Sequence, residues 1–281
     1  MGQQISVVLM WFALALYVAA TVLYGYQFIL RRPVTAWWAR FATGAGFICQ
    51  TASIGLHSVA TEGTQMTGAN SLILLSWVLV LIYFIVEHLI KLRVYGTFLI
   101  PLATLLMIVA QIMGISTSAA GLTAEQLRQL GSWRVGIHVA LIFAANACYL
   151  VSAAASAFYL IQDSQLKRHR TTPLFRKLPS LAQTQKLARR AVVAGYPAYT
   201  VGLVLGVIRA IETDVGGWYA DPRIMLAGVV WLIYGTYLLL VYRRDISARR
   251  ASWLSLAGFT VVAIVGIIAR TVPVGFHVFG I

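Results

Sequence analysis

Three of the five histidines are placed where they could bind a metal ion or a haem iron. His57, His138 and His277 each lie at or beside the end of a long apolar stretch. Neutral imidazole is a common metal ligand, and two histidines can hold a haem iron as its axial ligands. A lone histidine at a membrane interface is more often a hydrogen-bonding residue, and the residues alone leave both interpretations open. The ligand hypothesis requires the chain to bring these histidines to one side of a membrane.

Other residues near the same ends could bind the remaining parts of a haem. Arg209 and Arg270 could each pair with a carboxylate such as a propionate, because a guanidinium is a bidentate donor, or could instead reach lipid headgroups. Trp218 could stack on a porphyrin face or serve only as an interfacial aromatic residue. Towards the interior from His138, a stripe of small and polar side chains at helical spacing is predicted to face a helix bundle. The stripe consists of Ala145, Asn146, Tyr149 and Ser152.

The composition places these residues in a membrane protein. The chain has 281 residues, of which 60% are hydrophobic and 11% charged, and its mean hydropathy is +0.81. Soluble domains contain about 45–50% apolar and about 25% charged residues. The composition therefore excludes an ordinary soluble enzyme, and it equally excludes a disordered chain, which needs low hydrophobicity. We predict an all-α, polytopic membrane protein.

About eight stretches are long enough to cross the hydrocarbon core, which requires roughly 20 apolar residues in each helix. The second stretch is the weakest, because it is rich in Gly and Thr. In the sixth, Gly195, Tyr199, Gly202 and Gly206 share one face, and Gly202 and Gly206 form a unit for close helix packing. The predicted spans are Ile5–Leu30, Trp38–Val59, Ser71–Ile90, Gly96–Ile115, Val135–Gln162, Ala191–Ile211, Ile224–Tyr242 and Trp253–Ile268.

The distribution of charge predicts the orientation of these spans. With the N-terminus outside, the inner loops carry the whole net charge of +14, while acidic and basic residues balance on the outer side. Cytoplasmic loops collect Lys and Arg, so we predict that both termini lie outside a bacterial cytoplasmic membrane. The basic inner loop, residues 166–190, is expected to lie on anionic lipid headgroups rather than to bind nucleic acid. In this topology His57, His138 and His277 all reach the outer side.

The chain resembles the CcsA/CcmC-type cytochrome c assembly proteins, and within them the HemX-like branch. The resemblance is clearest from Ser132 to the C-terminus, and in the first half it is one of pattern, as around Gly55-Leu56-His57. It rests on the following motifs: Ser132-Trp133-Arg134-Val135-Gly136-Ile137-His138-Val139, the glycine-studded helix with Gly195, Thr200, Gly202 and Gly206, the run Trp231-Leu232-Ile233-Tyr234, and Gly275-Phe276-His277.

The resemblance implies a site for non-covalent, b-type haem at the outer membrane face. In this family two external histidines, here His138 and His277, are the axial ligands of the haem iron. A tryptophan-rich loop, here around Trp218 and Asp221, cradles the macrocycle, and His57 matches a further histidine position within the membrane. The loop keeps Trp218, Asp221 and Pro222 but has Ala220 in place of a Trp. Such a weakened loop fits the HemX-like branch better than a complete haem-exporting synthase.

Two functions follow from the resemblance. The first is a haem-binding membrane protein that assists cytochrome c biogenesis at the outer face, with a CcsB/ResB-like membrane protein and apocytochrome c as partners. The alternative is a HemX-like regulator of tetrapyrrole synthesis, which controls glutamyl-tRNA reductase through its basic cytoplasmic loop. A haem-free transporter is disfavoured, because the first, fourth and seventh spans have no ionisable residue in mid-membrane. No nucleophile–base pair or phosphate loop occurs at motif spacing, so we expect no independent catalytic activity.

The chain is predicted to form a single integral membrane domain over residues 1–281. Four helices are expected in the N-terminal half, residues 1–131. Four more are expected in the cytochrome c assembly-like half, residues 132–281. Cys49 and Cys148 form neither a CxxC nor a CxxCH motif, so the chain is not itself a c-type cytochrome.

Overall fold

A computed structural model describes residues 2–30, 33–60, 68–90, 95–116, 133–168, 179–212, 219 and 221–271. Within these ranges the chain forms eight α-helices and no strand, which confirms the predicted all-α class. The helices are α1 Gly2–Leu30, α2 Pro33–Ala60, α3 Gly68–Ile90, α4 Gly96–Ser116, α5 Trp133–Lys167, α6 Leu181–Glu212, α7 Pro222–Arg243 and α8 Ala248–Thr271.

Among the described helices, six are long and apolar enough to cross a membrane, namely α1, α3, α4, α5, α6 and α7. A multi-pass membrane protein is therefore confirmed. Helices α2 and α8 are not among these six, although both exceed 20 residues in length. That α2 and α8 also cross the membrane remains a prediction, as does the placement of both termini outside.

The start of α6 differs from expectation. The sixth span is predicted to begin at Ala191, but the helix begins ten residues earlier, so the basic residues before Ala191 form its first turns. Ser180 and Gln183 form a reciprocal capping box, in which Gln183 N–H donates to Ser180 Oγ at 3.3 Å and Ser180 N–H donates to Gln183 Oε1 at 3.2 Å. The helix begins at this cap and continues, because no helix-breaking residue separates Arg190 from the apolar span.

The chain divides into two compact units, Met1–Gly131 and Ser132–Phe279. In the first unit, α1 packs against α2 and α4, and α3 packs against α4. Buried polar side chains join these helices: Tyr17 Oη donates to Gln50 Oε1 at 2.8 Å, and Gln50 Nε2 donates to Ser76 Oγ at 2.8 Å. Hydrogen bonds of this kind stabilise helix association where lipid supplies no hydrophobic driving force.

A buried carboxylate lies near the end of α3 in the first unit. Glu87 is 7% exposed, accepts a hydrogen bond from Tyr83 Oη at 3.0 Å and forms an ion pair with Arg40 at 3.6 Å. The hydroxyl of Tyr83 also contacts that of Tyr24 on α1. From the sequence, Glu87 is grouped with His88 and Lys91 in an interfacial cluster. The structure pairs it with Arg40 of α2, and Lys91 lies outside the described residues.

In the second unit, α5 and α6 form a close antiparallel pair. The face of α6 that carries Gly195, Gly202 and Gly206 lies directly against α5. A Cβ atom added at Gly195 would lie 2.9 Å from Cβ of Cys148, and one added at Gly202 would lie 2.9 Å from Cδ1 of Ile142. The predicted glycine face is thus confirmed as a surface of close helix approach.

The core of the second unit is formed where this helix pair packs against α7 and α8. Tyr149 of α5 stacks on Tyr234 of α7 with ring centroids 3.6 Å apart, and Tyr199 of α6 lies 5.6 Å from Tyr149. Ser152 and Ser255 of α8 share a hydrogen bond of 2.8 Å. In the predicted stripe, Ala145, Tyr149 and Ser152 are buried and Asn146 is half-buried, so the stripe faces the bundle.

Candidate functional site

His138 lies in the second turn of α5, where its half-buried ring contacts α6. Its Nδ1 atom is 2.6 Å from the carbonyl oxygen of Gly202. A carbonyl can only accept a hydrogen bond, so Nδ1 carries the proton. In the neutral ring the lone pair therefore lies on Nε2, which is the nitrogen able to ligate a metal. The backbone of α6 thus fixes both the tautomer and the direction of this imidazole.

Gly206 provides the space that the imidazole of His138 occupies. A Cβ atom added at Gly206 would lie 2.7 Å from Cε1 of His138, 3.0 Å from Nδ1 and 3.5 Å from Nε2. Cβ atoms essentially never approach other atoms within 3.0 Å, so a side chain at this position would displace the ring. The two glycines therefore have different roles. The carbonyl of Gly202 accepts the hydrogen bond, and Gly206 leaves room for the imidazole ring.

This arrangement fits an imidazole that ligates a metal centre. Histidines that bind metals almost always donate their other ring N–H to a carboxylate, a backbone carbonyl or a water molecule. The described residues contain no group of three or more His, Cys, Asp or Glu side chains that could hold a metal ion. One oriented histidine is sufficient as a protein ligand for an iron that takes most of its ligands from a porphyrin.

Beside His138, two arginines share one carboxylate. Arg134, one helical turn before His138, contacts Glu212 Oε1 through its Nη1 atom. Arg209 Nη1 lies 3.5 Å from Glu212 Oε2. Of these three residues, only Arg209 is predicted from the sequence to contact a ligand. The sequence does contain a signal for these contacts. Arg134 precedes His138 by four residues and Arg209 precedes Glu212 by three, and residues at these spacings are neighbours on the surface of a helix.

Asp221 has a structural contact of its own. It is 3% exposed and is the N-cap of α7, where its Oδ1 accepts a hydrogen bond from the backbone N–H of Arg223 at 2.8 Å. Pro222 takes the first helical position, as is common after such a cap. The carboxylate thus fixes the start of α7, and a contact of Asp221 with a cofactor remains a prediction.

The remaining predicted site residues are distributed as follows. His138 and Arg209 lie at the same end of the α5–α6 pair, whereas His57 belongs to the last turn of α2 in the first unit, where it is half-buried. Arg270 belongs to α8, and its side chain lies outside the described part of the structure. His277 and Trp218 also lie outside the described residues. Their roles stay predictions.

Comparison with known proteins yields one family. The model of the family described as "Cytochrome C assembly protein" matches residues 67–277, and so includes α3 and α4 as well as the segment after Ser132. Protein HemX of Brevibacillus brevis is 34% identical over 121 residues, which cover 43% of this chain and 44% of that protein.

Similar proteins also include several that carry the name cytochrome c biogenesis protein CcsA. The one from Synechococcus sp. (strain CC9605) is 28% identical over 170 residues, covering 53% of this chain and 56% of that protein. The one from Prochlorococcus marinus (strain NATL1A) is 33% identical over 98 residues, covering 35% of this chain and 31% of that protein. The chain spans about half the length of the HemX and Synechococcus relatives that it matches.

Proposed function

Because the chain belongs to the cytochrome c assembly protein family, we propose that it is a haem-handling membrane protein that assists cytochrome c biogenesis at the outer face of the membrane. The observation that carries this proposal is the 2.6 Å hydrogen bond from Nδ1 of His138 to the carbonyl of Gly202. This hydrogen bond keeps the lone pair on Nε2, so that this nitrogen can act as a ligand. Gly206 provides the space for the imidazole ring. The relatives named for cytochrome c biogenesis point to the same process.

In this proposal the residues bind and orient a non-covalent, b-type haem. His138 supplies one axial nitrogen and His277 the other, while Trp218 packs on a porphyrin face. His57, Asp221, Arg209 and Arg270 are the further candidates for contact with the haem. The haem itself supplies the iron and the substituents that are joined to the CxxCH thiols of apocytochrome c, so the protein contributes ligation and orientation. The partners are apocytochrome c and a CcsB/ResB-like protein in a bacterial cytoplasmic membrane, with anionic lipid at the inner face.

The 34% identity to protein HemX favours a second candidate function. In that function the protein regulates tetrapyrrole synthesis, and its basic inner face docks the cytosolic glutamyl-tRNA reductase through charge complementarity. The two candidates differ in what changes when the protein is lost. Loss of an assembly factor lowers covalent cytochrome c, whereas loss of a regulator changes the amount of the reductase.

The test is a deletion strain of the source cell that is complemented with defined variants. Covalently bound haem is measured by haem staining of c-type cytochromes, and glutamyl-tRNA reductase is measured by immunoblot in the same extracts. We expect the deletion to lower the stained cytochromes and the wild-type gene to restore them. We expect His138→Ala to fail and His88→Ala to succeed, because His88 is an exposed histidine at the end of α3. Unchanged cytochromes with altered reductase would instead establish the regulatory function.

A further inference from the structure

Four helix termini meet at one end of the second unit, where α5 and α7 end and α6 and α8 begin. Arg249 in the first turn of α8 lies 3.6 Å from the carboxylate of Asp163 near the end of α5. The guanidinium of Arg189 in α6 lies 5.8 Å from the ring centroid of Tyr242 near the end of α7. Since α5 and α6 are an antiparallel pair, these contacts bring the basic residues of all four helices to one place.

The sequence around these termini carries a large excess of positive charge. Residues 163–190 and 243–250 contain twelve Lys and Arg residues but only two acidic ones, Asp163 and Asp245. Asp163 is already shared, because its Oδ2 atom lies 2.9 Å from Lys167 Nζ and 3.6 Å from Arg249 Nη1. The basic residues of these segments that the structure describes are all exposed, and together they are termed the basic end: Lys167, Arg168, Lys186, Arg189, Arg190, Arg243, Arg244, Arg249 and Arg250.

The other acidic residues of the chain cannot balance this charge. Those of the second unit, Glu212, Asp214 and Asp221, follow one another after the opposite end of α6. Because α6 has 32 residues, its two ends are about 48 Å apart. The first unit contains three acidic residues, which are fewer than the excess of ten. The excess must therefore be balanced by groups that do not belong to this chain.

The basic end lies at the depth of lipid headgroups. The apolar part of α6, Ala191–Ile211, is about 31 Å long, which matches a hydrocarbon core of about 30 Å. Arg190, Arg189 and Lys186 precede this part by about 1.5–8 Å along the helix, and the headgroup layer on each side of a bilayer is about 5–8 Å thick. These charges are thus placed level with the phosphate groups of lipid, rather than in the aqueous phase where a soluble partner would be.

Two further features of the basic end favour membrane lipid. Tyr242 and Trp253 are 60% and 58% exposed, and exposed Tyr and Trp side chains are enriched at the headgroup level of a membrane. Arg249 and Arg250 lie in the first turn of α8, which contains no acidic residue. The positive end of the helix dipole and the two guanidinium groups there all favour an anion.

We propose that the basic end binds the phosphate groups of anionic phospholipid, and that Arg190, Arg243 and Arg250 each supply a guanidinium from a different helix. A guanidinium recognises phosphate through two parallel hydrogen bonds. Lipid bound in this way holds together four helix termini that Asp163 joins only in part. The inference rests on the proposed function only in that anionic lipid is one of its partners, and it adds the ends of α7 and α8 to the contact expected of the loop 166–190. It does not depend on haem.

The experiment compares phosphatidylglycerol, which has an anionic headgroup, with phosphatidylcholine, which has a zwitterionic one. Each is titrated in its dioctanoyl form into the full chain in detergent, and native mass spectrometry measures how much lipid is bound. The two dissociation constants are expressed as the ratio of phosphatidylcholine to phosphatidylglycerol. We expect a ratio of about ten or more for the wild type. Each arginine removed should weaken phosphatidylglycerol binding about fivefold, which corresponds to about 1 kcal/mol.

The variants separate charge from packing. Arg190→Gln, Arg243→Gln and Arg250→Gln are made singly and together, and the triple variant should bring the ratio towards one, whereas Lys at the same three positions should keep most of the preference. Arg134→Gln is the matched control, because it removes the same charge from the opposite end of α5, and it should keep the wild-type ratio. Asp245→Asn should raise the ratio severalfold, since it removes a negative charge and Asn tolerates the positive φ of 45° at this position.

Two results would overturn the inference. The first is a ratio that the triple Gln variant leaves at the wild-type value. The second is a wild-type ratio near one, and if polyglutamate then binds the wild type but not the triple Gln variant, the basic end docks an acidic protein instead. His138→Ala should keep the wild-type lipid ratio whether or not it still binds haem, so this inference and the haem proposal fail independently of each other.

Discussion

Replacing Gly206 by Ala tests whether the packing of α6 against α5 orients His138. The added Cβ would lie 2.7 Å from Cε1 of the imidazole, whereas unstrained carbon–carbon contacts lie at about 3.5–4.0 Å. The ring must therefore withdraw from α6 by about 1 Å. Because Gly202 is on the same helix, this movement stretches the 2.6 Å bond to its carbonyl to about 3.5 Å, where little of the hydrogen bond remains.

The effects on stability and on ligand affinity differ in size. Overpacking reduces the free energy of unfolding by about 1–3 kcal/mol, and loss of the hydrogen bond by about 1 kcal/mol. The higher helix propensity of Ala offsets about 1 kcal/mol of this loss. Ligand affinity has no such offset, since changing the hydrogen-bond partner of a metal-ligating histidine typically lowers metal affinity by about 10–100-fold.

The assay is a haem titration of detergent-purified protein, followed by the Soret absorbance, together with a thermal unfolding curve of each variant. Gly228→Ala is the matched control, because nothing lies within 4 Å of a Cβ at that position in α7. We expect Gly206→Ala to bind haem about 10–100-fold more weakly than Gly228→Ala does. Equal affinities and equal spectra in the two variants would refute the reasoning, since the ring of His138 would then need no support from α6.

Three further predictions concern stability and the cap of α7. Gly195→Leu should lower the midpoint of thermal unfolding and cost at least about 1–3 kcal/mol, because even a Cβ would lie 2.9 Å from Cys148. Tyr149→Phe should leave the free energy of unfolding unchanged or raise it by about 1 kcal/mol, because the buried hydroxyl has no hydrogen-bond partner within the described residues. A decrease of more than about 1 kcal/mol in denaturant unfolding would show that the hydroxyl does have a partner. Asp221→Ala should lose about 1 kcal/mol and Asp221→Asn much less, since Asn also caps helices. If Asp221→Asn also binds haem more weakly in the titration, while its stability is retained, the carboxylate contacts the cofactor.

The helices could be predicted from the sequence because each has a local cause. Apolar runs of membrane-spanning length, separated by charged or glycine-containing segments, place all eight helices within a few residues of their observed bounds, except at the start of α6. There the apolar run, and with it the predicted span, begins only at Ala191. The capping box of Ser180 and Gln183 extends α6 to Leu181 instead.

The site could be predicted only in its parts. His138 stood out by its residue type and place, and Gly202 and Gly206 stood out by their spacing, but nothing local showed that these features meet. The hydrogen bond from His138 to Gly202 joins residues 64 positions apart, and the ion pair of Arg134 with Glu212 joins residues 78 positions apart. Such contacts follow from the antiparallel register of α5 and α6, which depends on how tightly the glycine face packs. Periodicity within one helix carries no information on that register.

The proposed function depends most on ligation of haem by His138, and the absorption spectrum of the haem-loaded protein tests this ligation most directly. The wild type and His88→Ala should both give the spectrum of a low-spin, six-coordinate iron with two imidazole ligands. His138→Ala should lose this spectrum, and free imidazole should restore it by entering the space that the ring leaves. A spectrum of His138→Ala that coincides with that of His88→Ala, without added imidazole, would contradict the assignment of His138 as a ligand of the haem iron.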